Sequence, residues 1–153
     1  MAVRMLIQRV PPPVWLGGIV AGSFVTLALG STAMAQPVVF ADELHYSAAG
    51  ERLGAGDPPV STYGYGLAYP LLIAPLYAFL PGPPEAYAAI KLVNGALFSL
   101  AALPAYALAR RGARPGFALV AALLTVLIPA RTTSYLVLTE SLAYVLFLAA
   151  ALL

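Results

Sequence analysis

Asp42 and Glu43 stand side by side in the stretch Phe40-Ala41-Asp42-Glu43-Leu44-His45-Tyr46-Ser47-Ala48-Ala49-Gly50-Glu51-Arg52-Leu53, within a chain of 153 residues of which only 9% are charged. A carboxylate can take the proton from a hydroxyl that is itself too weak a nucleophile. Asp42 is the first choice for such a base; Glu43 could share the role, orient the second reactant or bind a cation. His45, the only histidine, lies on the same stretch. Arg52 and Arg131 carry the guanidinium fork that suits phosphate. Glu140 offers a second acidic position, and two carboxylates on one side of a membrane could hold a divalent ion through oxygen ligands. Tyr63 and Tyr65 offer flat faces for a ligand. Each residue also has a plainer use. Asp42 can cap a helix, and Glu43 can sit near a helix start because the dipole favours it. Arg131 can snorkel to an interface, and the two tyrosines can belong to an interfacial belt. His45 can be an ordinary surface histidine, and Glu140 an ordinary interfacial acid.

These polar residues are set in an apolar chain. Hydrophobic residues make up 61% of it and the mean hydropathy is +0.88. Soluble domains carry roughly 25% charged residues, so composition points to a membrane protein. The net charge of +2 rests on eight Lys and Arg, with no cluster large enough for a nucleic-acid footprint. Without cysteine there is neither a disulfide nor a thiolate metal site, and a single histidine rules out a multi-histidine site.

The elements that would position the acids follow from hydropathy and charge. Arg4 and Arg9 precede an uncharged segment, 14–35, whose 22 residues suffice for a hydrocarbon core of ~30 Å at ~1.5 Å per residue. Trp15 marks its start, and Gly18 and Gly22 form a small-xxx-small pair. The same region also resembles a secretory signal, with Ala33-Met34-Ala35 as a cleavage site; a retained helix is the preferred expectation. Residues 36–84 form an extracytoplasmic loop with two short helices, about 41–53 lying on the membrane surface and about 67–80, too short and too rich in proline for a straight span. Spans are expected at 85–110, 115–130 and 136–153, giving an all-α, multi-pass bundle of about four membrane helices. Arg110, Arg111 and Arg114 mark the cytoplasmic side. The N-terminus is then cytoplasmic, loops 36–84 and 131–139 are outside, and Asp42, Glu43 and Glu140 share the outer side of a plasma or inner membrane. The last residues, Ala149 to Leu153, lack the signals that usually end a helix, which predicts the N-terminal part of a longer protein.

This order of features resembles the GT-C superfamily of membrane glycosyltransferases, which includes protein O-mannosyltransferases and aminoarabinose transferases. The likeness rests on Asp42-Glu43 just after the first helix with Tyr46 and Ala49, on the run Tyr69 to Tyr77, on Lys91-Leu92-Val93-Asn94-Gly95-Ala96-Leu97 and on Tyr135 to Leu142. It implies a sugar donor on a polyprenyl phosphate, with inverting transfer to an acceptor hydroxyl on the extracytoplasmic side. Asp42 and Glu43 would then be catalytic and Glu140 a second acid or metal ligand. Arg52, Arg131, His45, Tyr63 and Tyr65 would contact donor phosphate or substrate. Partners are the lipid-linked donor and membrane lipids, with no nucleic acid; sugar, acceptor and any divalent cation stay unspecified. A transporter or flippase fragment, or a non-catalytic membrane subunit, is the alternative; prolines in apolar helices and an acid near a membrane boundary suit a transporter too.

Overall fold

The computed structural model describes residues 10–34, 40–59 and 65–153. The chain is all-helical there, with no strand among the described residues: α1 Pro12–Ser31, α2 Ala41–Gly54, α3 Ala68–Phe79, α4 Pro83–Leu100, α5 Ala102–Arg110, α6 Pro115–Leu127 and α7 Glu140–Ala150, with a 3-10 helix Pro129–Tyr135 between α6 and α7. Proline punctuates the helices. It opens α1, α4, α6 and the 3-10 helix, where a missing N–H costs nothing. Ile128 before Pro129 is extended, as the proline ring requires.

Two helices are long and apolar enough to cross a membrane, α1 and the joined α4–α5 from Pro83 to Arg110; α6 with the 3-10 helix makes a third if that pair, bent by 53°, is one span. The expectation of about four spans therefore changes in its details. The segment 85–110 begins at Pro83 and breaks at Ala101, three residues before Pro104, which cannot donate to the carbonyl four residues back. Segment 115–130 loses its helix at Leu127. Segment 136–153 is helical only from Glu140 to Ala150, too short for a straight span. Its first residues, Leu136 to Leu138, are buried and non-helical.

α2 and α3 pack as a hairpin over the end of the bundle where α4 begins. Two glycines allow it. A Cβ on Gly50 would sit 2.8 Å from Ile73 Cγ1, and one on Gly54 would sit 2.8 Å from the Ala74 carbonyl oxygen. The buried residues of α2 are Glu43, Tyr46 and Gly50, at helical spacing on one face. The apolar stripe of Phe40 and Leu44 points outward, both about half exposed, as suits a helix lying along a membrane surface. Two cores result. Tyr46, Tyr69, Ile73, Tyr87, Ile90 and Val137 fill the space under the hairpin. Leu27, Phe98, Ala102, Ala122 and Val126 join α1, α4, α5 and α6.

Candidate functional site: an acid pair on a clamped peptide

The neighbouring acids Asp42 and Glu43 have opposite surroundings, because successive residues of a helix point about 100° apart. Glu43 is fully buried. Its Oε1 accepts the Tyr87 hydroxyl at 2.9 Å and the backbone N–H of Val137 at 3.1 Å; its Oε2 has no partner. Asn94, also fully buried, donates from Nδ2 to the Leu136 carbonyl at 2.7 Å. The Leu136 carbonyl and the Val137 N–H belong to one peptide unit. Glu43 from α2 and Asn94 from α4 therefore grip the same peptide from its two sides. The Tyr69 hydroxyl from α3 lies 2.8 Å from Asn94 Nδ2 and 3.1 Å from Oδ1. Four elements meet at this knot, and a buried extended segment without it would leave its backbone groups unsatisfied. The peptide so held leads directly into Thr139 and Glu140, fixing where α7 starts.

Asp42, by contrast, is exposed in the first turn of α2. No side-chain hydrogen bond caps that helix, so Asp42 is not its cap. It accepts the Tyr65 hydroxyl at 2.6 Å. That hydrogen bond, then burial, then the charge of Asp42 raise the Tyr65 phenol above its ordinary value. Tyr65 stacks on His45 with ring centroids 4.9 Å apart and meets Tyr46 edge-on at 5.4 Å. Tyr46 is also raised, first by burial and then by the charges of Asp42 and Glu140. Asp42 and Glu140, far apart in sequence, thus act on one phenol. Tyr69 is raised mainly by burial, with Glu140 and Glu43 contributing.

The remaining candidates divide. Arg52 pairs with Asp57 at 3.2 Å, a local contact at the end of α2, although with His45 it also lines a cleft of about 80 Å³. Arg131 lines a groove between α1 and α6 to which α2, α3 and α7 contribute nothing. Tyr63 lies outside the described residues. Among the described residues no three metal-ligating side chains cluster.

Sequence pattern alone does not single out three polar residues of α4 as site residues: Tyr87, Lys91 and Asn94. They lie at helical spacing on one face. Lys91 Nζ donates to the Ser31 carbonyl at 2.9 Å and to the Met34 carbonyl at 2.5 Å, so a cation closes the C-terminal end of α1 where the dipole favours it. It also lies 5.0 Å from the Tyr87 ring centroid. The available signal was a lysine and an asparagine in an otherwise apolar helix, which rarely occur without a role.

No protein-family model, curated protein or solved structure matches this chain.

Proposed function

We propose that this chain is part of a multi-pass membrane glycosyltransferase that moves a sugar from a polyprenyl phosphate to a hydroxyl on the extracytoplasmic face, with Asp42 as the base. The observation that carries the reading is the placement of Asp42, exposed in the first turn of α2 and hydrogen-bonded to the Tyr65 hydroxyl at 2.6 Å, beside a buried Glu43–Asn94 knot that holds the peptide leading to Glu140. Preorganised acids at a rigid surface are what a base-assisted displacement needs. The acceptor oxygen bonds to the anomeric carbon from the face opposite the phosphate. The carbon–oxygen bond to phosphate breaks, polyprenyl phosphate leaves with the bonding pair, and the hydroxyl proton passes to Asp42. Inversion follows from the single displacement. Glu140 supplies a second acid at the exposed start of α7. Glu43 is assigned to the scaffold, because both groups that reach its Oε1 come from the protein itself.

The membrane placement has the N-terminus and Arg110, Arg111 and Arg114 on the cytoplasmic side. Its support is the two apolar helices and the contact of the Arg111 guanidinium with the Leu152 carbonyl, which puts the ends of α5 and α7 at one level. Asp42 and Glu140 fall at the opposite end.

The test is incubation of membranes carrying the protein with polyprenyl phosphates bearing different sugars. Consumption of one donor, release of polyprenyl phosphate and formation of a glycosidic product are expected. If no donor is consumed while the protein is intact and inserted, the transferase reading fails.

A further inference from the structure

A groove of about 770 Å³ runs between α1 and α6, away from the acids. This is within the range of ~300–1,000 Å³ typical of small-molecule sites. Its α1 wall extends from Trp15 to Thr26 and is open: a Cβ on Gly18 or Gly22 would meet nothing within 4 Å. At ~1.5 Å per residue that wall is roughly 16 Å long, about half of a hydrocarbon core of ~30 Å. The α6 wall runs from Gly116 to Leu127 and is aliphatic from Leu119 onward, and Arg131 lies beyond it at the outer end. Arg131 is half-buried and has no carboxylate partner among the described residues.

We propose that this groove holds one anionic phospholipid of the bilayer, with an acyl chain against the glycine wall and its phosphate on Arg131. Charge decides the occupant. The groove brings one cation and no acid, and a phosphate matches the planar guanidinium fork with two parallel hydrogen bonds. A helix packed there would have to supply its own carboxylate, whereas every anionic lipid carries the complementary group. The inference rests on the membrane placement above but not on sugar transfer.

The test uses the whole protein in nanodiscs of phosphatidylcholine mixed with phosphatidylglycerol, released for native mass spectrometry. One retained phosphatidylglycerol is expected, in preference to phosphatidylcholine. Arg131→Gln should lower its retention about tenfold or more, as for loss of hydrogen bonds to a charged group. Gly22→Leu should do the same by filling the groove, while Arg114→Gln should leave retention unchanged. Equal retention of the two lipids, or unchanged retention in Arg131→Gln, overturns the proposal. So does a dimer that Gly22→Leu abolishes, which would put a second copy in the groove. Transfer activity is read from product and lipid retention from mass, so either reading can fail alone.

Discussion

Replacing Glu43 by alanine leaves two buried donors without acceptors, the Val137 N–H and the Tyr87 hydroxyl. Each orphaned group costs about 1–3 kcal/mol, so the change should destabilise the protein by about 2–6 kcal/mol before any cavity is counted. Glu43→Gln should cost no more than ~1 kcal/mol. Its amide oxygen can still accept both bonds, and its nitrogen replaces an oxygen that already lacks a partner. Asn94→Ala strips the Leu136 carbonyl and the Tyr69 hydroxyl of their partner and should cost a similar ~2–6 kcal/mol. Because Glu43 and Asn94 hold one peptide, once either is gone that peptide is free to move and the second loss costs less. The double variant should therefore fall short of the sum by ~0.5–3 kcal/mol. The assay is equilibrium unfolding in mixed detergent micelles, followed by helix content, for the four corners of the cycle. Additivity within ~0.5 kcal/mol would refute a shared clamp. So would Glu43→Gln unfolding as readily as Glu43→Ala.

Other expectations follow from the same contacts. Lys91→Met removes both hydrogen bonds to the end of α1; a loss of about 1.5–3 kcal/mol should appear as faster amide exchange in the last turn of α1, and unchanged exchange there would count against the cap. Gly54→Ala should destabilise by ~1–3 kcal/mol, because the new methyl meets the α3 backbone at Ala74 and Ala78. Gly22→Ala, with open space around it, should instead gain up to ~1 kcal/mol from helix propensity; thermal melting that ranks the two alike would contradict the packing. The phenols of Tyr46, Tyr65, Tyr69 and Tyr77 are all raised above the ordinary 10.0. A raised folded-state value gives stability that is complete below pH 10 and lost as pH climbs through the folded values. The hairpin should therefore come away in alkali as these phenols ionise late. Ordinary titration of every phenol at constant helix content, followed by phenolate absorbance, would be the contrary result.

The helical class and most helix positions were legible because apolar runs, prolines and arginine clusters act locally. The short helices at 41–54 and 68–79 fall within one residue of expectation for that reason. The last segment was not legible. Leu136-Val137-Leu138 is apolar and reads as the start of a helix, but its backbone is held out of the helix by Glu43 and Asn94, which hydropathy does not connect to it. The acid pair was half legible. Two adjacent carboxylates were conspicuous, yet which of them turns inward depends on where Gly50 and Gly54 let α3 approach. Glu43, the more buried, became the tie; Asp42 stayed at the surface with Tyr65. Arg52 and Arg131 could not be sorted by type alone, since one guanidinium finds a local carboxylate and the other the rim of a groove.

The central claim is that the two neighbouring acids have separate duties, proton transfer for Asp42 and scaffold for Glu43. The most direct test is the rate of sugar transfer from a polyprenyl-phosphate donor by Asp42→Asn and Glu43→Gln, at equal amounts of inserted protein. The account predicts a fall of ~10²–10⁴-fold for Asp42→Asn, the usual worth of a general base, with folding stability little changed. For Glu43→Gln it predicts a rate close to that of the unaltered protein. A collapse of transfer in Glu43→Gln with full activity in Asp42→Asn would contradict it and make the buried acid the reacting one.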